Sequence, residues 1–309
     1  MRRLKSFALI ILSIMTMLTF VACGNSKGKK ENESKTRIVN TLNGEVEIST
    51  NLKKIVDLCG VAEDLLILGY TPVATTYIDT YGENKVPEYL EYTLRKSKIL
   101  ESSDVNNIDK IASYNADLII INESQKDLYD ELSNIAPTVM IPNFENDWRE
   151  GLTYLGELLG NEEEATKWLS EYERKTESAG KKISEANKGE TFLAVLAHKG
   201  SYKIFINEGL GSLIYDDMKL SKPKALLEKN SGLIEVTMED INNINADNII
   251  IILDDEEKGL LSNNDIWKNL KAVKEGTVIS FNISPVLNGV YNPVGRTMII
   301  ETIKEGFTK

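Results

Sequence analysis

The alternation of apolar runs and amphipathic segments along the chain predicts an α/β protein. Short runs such as "LIII" at 118–121 and "NIIIIL" at 248–253 are almost free of polar residues, as buried strands are. Between such runs, apolar residues recur every three or four positions, the spacing of helices with one buried face. The predicted strands are 54–58, 72–76, 116–122 and 137–141, then 192–198, 201–206, 248–253 and 277–282. Residues 37–48 predict a further N-terminal hairpin that turns at Asn43 and Gly44.

One stretch of the first half of the chain recurs in the second half. "NIDKIASYNADLIII" at 107–121 and "TMEDINNINADNIII" at 237–251 share seven identical positions. Each copy predicts a short helix, a turn and a buried strand, with Asp109 and Glu239 pointing outward at equivalent places. A weaker similarity continues into the next helix and strand of both halves. An old duplication into two similar α/β lobes explains both matches.

A long helical region separates the two lobes. Asp147-Trp-Arg-Glu150 has the spacing of a capping box, a stripe of leucines follows it, and Gly160 can end that helix. A second helix follows, with apolar residues at helical spacing from Ala165 to Ile183. We expect this helix to be a rigid spine. The predicted divisions are an N-terminal lobe at 37–145, an interlobe helical region at 146–188 and a C-terminal lobe at 189–309.

The first residues have the form of an export signal. Three basic residues within the first five positions precede an uncharged apolar run, which is shorter than the roughly 20 residues of a membrane span. Ala22 directly before Cys23 resembles the lipobox of bacterial lipoproteins, although Phe20 stands where Leu is usual. The resemblance implies lipidation of Cys23 and anchoring outside the cytoplasmic membrane, with a Gram-positive cell favoured. An ordinary secretory signal is the alternative. The predicted segments are a signal peptide at 1–22 and a flexible tether at 23–36.

The composition argues against several classes of function. The net charge of −11 becomes −14 without residues 1–22, which disfavours nucleic acid and a polybasic membrane face. Once Cys23 is lipidated only Cys59 remains, so no internal disulfide can form. The single histidine, His198, disfavours a zinc-type metal site, because such sites use several His or Cys ligands. We therefore expect no cofactor and no metal, and we expect a monomer.

Several phrases resemble a known family. "IVDLCGVAEDLLILGYTPVATT", "VNNIDKIASYNADLIII" and "WREGLTYLGELLGNEEEATKWLSEYERK" are similar, in order and spacing, to the ferric-siderophore-binding lipoproteins of ABC importers. These are helical-backbone substrate-binding proteins related to the vitamin B12 binder, and the likeness covers 36–309. It implies two α/β lobes joined by a long rigid helix, as in class III periplasmic binding proteins. It also implies a ferric siderophore in the interlobe cleft, no enzymatic activity, and ABC permease subunits with a separate ATPase as partners.

The resemblance assigns a docking role to one acidic residue on each lobe. The family's Pro-Asn-Leu-Glu-Lys-Ile motif reads Asn106-Asn-Ile-Asp-Lys-Ile111 here, so Asp109 takes the Glu position. Its Ser-Leu-Glu-Lys-Leu motif reads Thr237-Met-Glu-Asp-Ile241, and Glu239 matches. In the family these acidic residues pair with arginines of the permease. The alternative is that both merely favour the positive end of a helix.

Loops after the carboxyl ends of strands are where α/β lobes meet their ligands. From these loops we select Tyr77 and Ser124 in the first lobe and His198 in the second. The stretch "NGVYNPVGRTMII" resembles the Tyr-Asn-Asp-Pro segment of hydroxamate-siderophore binders without its Asp, and it adds three more residues. The full set of predicted ligand contacts is Tyr77, Ser124, His198, Tyr291, Asn292 and Arg296. Arg296 is expected to hold an anionic oxygen of the ligand.

The type of siderophore follows from what these positions lack. The family's Trp-Gly-Arg-Gly segment of hydroxamate binders reads "NEGLGS" here, without Trp or Arg. Where catecholate binders place basic residues, this chain has Ser103, Ser124 and Leu196, so a triply anionic ligand finds no counter-charge. A hydroxamate or mixed ligand is therefore favoured.

Other readings of the sequence stay open. Haem or a corrinoid could occupy the same fold, and haem would need an axial ligand such as His198. An anchored hydrolase is the enzyme alternative, but neither Gly-x-Ser-x-Gly nor His-Glu-x-x-His occurs. A structural lipoprotein would leave the duplicated lobes unexplained. Tyr291 and Cys59 can equally be packing residues, and His198 can be hydrogen-bonded within a loop.

Overall fold

Two five-stranded sheets, one in each half of the chain, organise the fold. The computed structural model describes residues 35–77, 86–144, 147–229 and 232–308. Residues 36–309 form one compact unit, which contains both sheets. Cys23 and the signal segment lie outside the described residues. Among the described residues, no helix is both long enough and apolar enough to cross a membrane.

Strands and helices alternate through most of the chain. The strands are β1 Thr36–Thr41, β2 Gly44–Ser49, β3 Ile55–Asp57, β4 Ala74–Thr75, β5 Lys98–Ile99, β6 Leu118–Asn122, β7 Thr138–Ile141, β8 Phe192–His198, β9 Ser201–Phe205, β10 Leu233–Val236, β11 Asn248–Leu253 and β12 Val278–Asn282. The helices are α1 Ala62–Ile67, α2 Glu88–Leu94, α3 Ile108–Ala112, α4 Tyr129–Ser133, α5 Trp148–Leu159, α6 Glu162–Ala186, α7 Gly209–Gly211, α8 Met238–Ile244, α9 Asp255–Asn263, α10 Asp265–Asn269, α11 Lys271–Glu275, α12 Ile283–Gly289 and α13 Pro293–Phe307. Short 3-10 turns lie at Glu123–Leu128 and Lys224–Leu226, and a π-helical turn lies at Ser212–Asp217.

The two sheets have related topologies. The first has the order β5-β4-β3-β6-β7 and is parallel throughout. The second has the order β10-β9-β8-β11-β12, and its β8, β11 and β12 are parallel like β3, β6 and β7. The lobes differ where β9 returns antiparallel to β8 through the two-residue loop Lys199-Gly200, both residues having positive φ. The predicted pair of α/β lobes is thus confirmed.

Burial on both faces explains the apolar runs. In β6, Leu118 and Ile120 pack into one core cluster while Ile119 and Ile121 pack into another on the opposite face. In β11, Ile250 and Ile252 likewise face a different cluster from the intervening isoleucines. A strand covered by helices on both sides has no solvent-facing position for a polar side chain.

The repeated Asn-Ala-Asp has the same structural role in both lobes. Asn115 and Asn245 adopt left-handed backbone conformations, with φ of 50° and 49°, between helix and strand. Asp117 accepts hydrogen bonds from the backbone N–H groups of Lys53 and Lys54, directly before β3. Asp247 accepts one from the backbone of Thr191, directly before β8. The two copies of the repeat therefore share their local structure as well as their sequence.

Helix α6 is the connection between the lobes. It has 25 residues and so is about 37 Å long. Ala165 near its start belongs to the first-lobe core, whereas Ala179 and Ile183 near its end belong to the second. Gly180 permits a close approach, since a Cβ there would lie 1.7 Å from the carbonyl oxygen of Met218. The predicted long helix between the lobes is confirmed.

Three details differ from the sequence prediction. The edge strands β5 and β10 were not predicted, because neither has a continuous apolar run. The N-terminal hairpin pairs Thr41 with Gly44, so its loop is Leu42-Asn43, one residue earlier than expected. Helix α5 packs its leucines into the first-lobe core, although the sequence placed it between the lobes.

Candidate functional site

A buried carboxylate shapes the loop that follows β3. Asp57 is completely buried, and its Oδ1 accepts hydrogen bonds from the backbone N–H groups of Cys59 at 3.0 Å and Gly60 at 2.9 Å. Its Oδ2 accepts one from the hydroxyl of Thr75 at 2.7 Å. Burial raises the pKa of Asp57, while these donors act in the opposite direction. The carboxylate thereby fixes the loop at the carboxyl end of the first-lobe sheet.

The first-lobe cavity, as we name it, lies at this end of the sheet and has a volume of about 480 Å³. Its lining combines hydroxyl, amide, thiol and carboxyl groups with a few apolar side chains. The polar members are Cys59, Thr76, Ser102, Asn106, Asn122, Ser124, Gln125 and Asp127. Asn122 and Gln125 form a capping box that holds the 3-10 turn carrying Ser124.

A second, smaller cavity lies between the lobes, and we call it the interlobe recess. It has a volume of about 130 Å³ and shares Cys59 and Asn122 with the first-lobe cavity. The shared residues place the two cavities side by side. Its lining includes Asp64, Asn143 and Phe144 from the first lobe, Trp148 at the start of α5, and Tyr291, Asn292 and Pro293 from the second lobe.

Glu63 joins the two lobes behind the recess. Its carboxylate is completely buried and accepts hydrogen bonds from the hydroxyls of Tyr77 and Tyr89, both at 2.6 Å. The backbone N–H groups of Val294 and Gly295, at the start of α13, donate to its other oxygen at 2.6 and 3.1 Å. A carboxylate at a helix N-terminus meets unpaired donors and the positive end of the helix dipole. Burial nevertheless raises the pKa of Glu63.

Three of the predicted ligand contacts line these cavities. Ser124 is exposed in the first-lobe cavity, and Tyr291 and Asn292 face the interlobe recess. Tyr77 does not, since it is 6% exposed and its hydroxyl bonds Glu63. His198 lies at the carboxyl end of β8, where its Nδ1 is 3.3 Å from Asp254 Oδ2, and it lines neither cavity.

Arg296 occupies a different place from the one predicted. Its side chain is 1% exposed and forms an ion pair with Asp217 at 2.7 Å. The guanidinium also donates to the hydroxyl of Tyr172 and to the carbonyl oxygens of Gly209 and Val290. The prediction that Arg296 contacts the ligand conflicts with this arrangement, because its donors are already used inside the second lobe.

Several lining residues were not predicted from the sequence. Asn122 ends a predicted strand and Asn143 follows another, so the rule that placed ligands at strand ends could have selected both. Asp64 lies in α1 and Trp148 begins α5, and the strand-end rule reaches neither of them. Within the described ranges, no three His, Cys, Asp or Glu side chains come together in a group that could hold a metal ion.

The two proposed docking residues lie at equivalent places. Asp109 is the second residue of α3 and Glu239 is the second residue of α8, and both are exposed. Each helix begins with a capping side chain, Asn107 in one and Thr237 in the other. Both carboxylates therefore face solvent from matching helix starts.

Two lobes joined by a rigid helix, with polar cavities at the strand ends and between the lobes, define a substrate-binding protein. The sequence profile of the periplasmic binding protein family matches residues 61–282, and the chain belongs to this family. Over 99% of its length the chain is 27% identical to the iron(3+)-hydroxamate-binding protein FhuD of Bacillus subtilis, of which it covers 98%. It is 25% identical to the probable siderophore-binding lipoprotein YfiY of the same organism, over 88% of this chain and 89% of that protein.

A solved structure is similar as well. It is a FhuD-fold periplasmic binding protein component of a Fep/Fec-like ferrichrome ABC transporter from Bacillus subtilis. The superposition has a TM-score of 0.71 with 26% sequence identity, and it covers 88% of this chain and all of the other. The fold predicted from the family resemblance is therefore confirmed.

Proposed function

We propose that this protein is the substrate-binding component of an ABC importer and that it holds a ferric siderophore of hydroxamate or mixed type. The observation that carries the proposal is the pair of adjoining cavities at the carboxyl ends of the strands and between the lobes. The larger volume, about 480 Å³, lies within the usual range of small-molecule sites. The names of the relatives support the same class of ligand.

The chemistry of the lining supports an uncharged chelate. Neither cavity has a Lys, Arg or His among its described lining residues. A tris-catecholate complex of Fe³⁺ carries three negative charges. In such a site these charges would lose their hydration without gaining a positively charged partner. Three hydroxamates neutralise Fe³⁺, so their complex needs only hydrogen bonds and apolar contact. We assign hydrogen bonds to Ser124 and Asn292 and aromatic contact to Tyr291 and Trp148.

We place His198 on the second-lobe side of the ligand, because it ends β8 at the carboxyl edge of that sheet. Its partner Asp254 directly follows β11 at the same edge of the sheet. The pair contributes a hydrogen bond to the ligand and carries out no chemical step. The protein releases the chelate unchanged to its importer.

Asp109 and Glu239 are proposed to dock the two lobes on the permease. Their equivalent exposed positions supply one negative charge to each side of a two-fold permease. We expect the double substitution of both residues by alanine to reduce uptake of the iron chelate by cells while leaving its affinity unchanged. The matched control substitutes Asp130 and Glu256, which also lie in first turns of helices, one on each lobe. Equal uptake by the two double variants would favour the helix-terminus explanation instead.

The N-terminal segments are proposed to anchor the protein. Removal of residues 1–22, lipidation of Cys23 and a tether at 23–36 would hold the binding body outside the cytoplasmic membrane of a Gram-positive cell. The relative named as a lipoprotein supports this assignment. Labelling with radioactive palmitate should be lost in Cys23→Ser, and the protein should then leave the membrane fraction.

The ligand class is tested by fluorescence titration of the 24–309 fragment, which contains the whole compact body. The panel contains ferric hydroxamates, ferric catecholates, ferric citrate, haem and cobalamin. Since Trp148 lines the recess, we expect saturable quenching at sub-micromolar concentration by a ferric hydroxamate. Binding of haem or cobalamin alone would overturn the ligand class, and binding of nothing would overturn the function.

A further inference from the structure

One carboxyl group in the interlobe recess lacks the hydrogen bonds that its neighbours have. Asp57 and Glu63 are fully buried, and both carboxylates accept several donors. Asp64 is only 8% exposed and lines the recess, yet its Oδ1 has no hydrogen-bond partner among the described residues. A buried carboxyl oxygen without a donor is unfavourable, so its retention needs a reason.

The recess itself cannot supply a positive charge. Its lining offers the thiol of Cys59, the phenol of Tyr291 and side-chain amides, with no Lys, Arg or His among the described lining residues. The arginines of α5 and α13, Arg149 and Arg296, are both paired with Asp217. A positive charge beside Asp64 must therefore come from the molecule that enters the recess.

We propose that Asp64 is a specificity-determining residue that binds a positively charged amine carried by the chelate. The body of the chelate occupies the first-lobe cavity, and an aminoalkyl arm extends into the recess. The recess has a volume of about 130 Å³ against about 480 Å³ for the first-lobe cavity, which suits a short arm but not a whole chelate. This inference rests on the proposed function, since it requires a chelate in the first-lobe cavity.

The electrostatic surroundings of Asp64 fit this role. Burial and then the charge of Glu63 raise the pKa of Asp64 to about 8, with a smaller contribution from Asp57. In the empty protein near neutral pH the group is largely protonated. An ammonium group favours the ionised form, so binding expels a proton. Affinity for the amine should therefore increase as the pH rises towards the pKa of Asp64, by up to about tenfold per pH unit. Above that pKa the affinity should level off.

The charged groups on the helices around α1 do not account for the pH dependence of amine affinity. Helices α5, α6 and α13 pack against α1. The arginines of α5 and α13 are held by Asp217, and the acidic residues at the start of α6 are exposed. The titratable groups that face Asp64 or share its cavity are Asp57, Cys59, Glu63 and Tyr291. Acetylation removes the positive charge of the chelate. The difference in affinity between the amine and the acetylated chelate therefore cancels the effect of these other groups.

The experiment compares two ferric trihydroxamates, one ending in a primary amine and the other with that amine acetylated. Both are titrated into wild-type protein, Asp64→Asn and the control Asp130→Asn, from about pH 6 to about pH 9. Asp130 is exposed on α4 and lines neither cavity, so its substitution removes the same charge away from the ligand. We expect wild type and the control to prefer the amine by about tenfold or more at pH 8, and Asp64→Asn to lose that preference while retaining the acetylated chelate.

The outcomes separate the two proposals. Equal affinity of wild type for both chelates, or an unchanged preference in Asp64→Asn, would overturn the role of Asp64 and leave the proposed function intact. Failure of wild type to bind either chelate would overturn the hydroxamate function and this inference with it. If Asp64→Asn does not fold, the pH dependence of the amine preference in wild type decides, and a flat profile would refute the inference.

Discussion

The buried ion pair between Arg296 and Asp217 can be tested by removing its positive charge. The substitution Arg296→Met removes the guanidinium and leaves an unbranched apolar side chain in place of its aliphatic part. Asp217 then loses one of its two cations, although Arg149 and the hydroxyl of Tyr172 remain bonded to it. The carbonyl oxygens of Gly209 and Val290 also lose their donor. Breaking one side of a buried ion pair costs about 3–5 kcal/mol.

That free energy converts into a measurable change of the unfolding midpoint. With an unfolding entropy of about 2.1 cal/mol/K per residue and a body of roughly 270 residues, the midpoint should fall by about 5–9 °C. Thermal unfolding of the 24–309 fragment, followed by circular dichroism, measures it. The control is Arg174→Met, because Arg174 is exposed on α6 and its loss should change stability by less than about 0.5 kcal/mol.

The affinity of the folded variant decides between the two roles of Arg296. A purely structural arginine predicts that Arg296→Met, measured well below its unfolding midpoint, binds the chelate like wild type. A variant with the stability of Arg174→Met but without chelate binding would refute the structural role. It would also show that the guanidinium reaches the ligand after a rearrangement of the second lobe.

Four further predictions concern other positions. Since the pKa of Asp64 is raised from 3.8 to about 8 in the folded state, wild type should lose stability as pH rises through that interval, and the midpoint advantage of Asp64→Asn should therefore grow with pH; a constant difference would contradict the assignment. Gly180→Ala should destabilise by about 1–3 kcal/mol or more in denaturant unfolding, because its Cβ meets backbone. Gly259→Ala, in α9 with open space around it, should instead stabilise by about 0.5–1 kcal/mol. Burial and the charge of Asp57 raise the pKa of the Cys59 thiol, so alkylation of the 24–309 fragment near pH 8 should be much slower than that of a free cysteine, and fast reaction would show an open loop.

The architecture could be predicted from the sequence because the signals for its strands and turns are local. Strands buried on both faces require continuous apolar runs, so β6, β8 and β11 could be located to within two residues. The repeated Asn-Ala-Asp marked two copies of one supersecondary unit, since each copy needs a left-handed turn and a cap for the neighbouring strand. The edge strands β5 and β10 carry no such signal, because their pairing depends on neighbours far along the chain.

Part of the candidate site was also within reach of the sequence. Ser124, Tyr291 and Asn292 follow strands or lie in a recognisable segment, and the structure places all three in the cavities. Whether Asp109 and Glu239 dock a permease stays a prediction, although their equivalent positions follow from the repeat. Ser124 stands where catecholate binders place a basic residue. The cavities agree with this, since their described lining contains no Lys, Arg or His.

Only the tertiary structure decided which polar groups are consumed within the fold and which remain for a ligand. Tyr77 and Arg296 have the chemistry of ligand contacts, but Glu63 and Asp217, both distant in sequence, take up their hydrogen bonds. Nothing in the sequence distinguishes Asp64 from Glu63. In the structure Glu63 caps a helix of the second lobe, whereas Asp64 lines the recess and its Oδ1 has no hydrogen-bond partner among the described residues. A sequence specifies the donors and acceptors available, and only packing determines which of them meet.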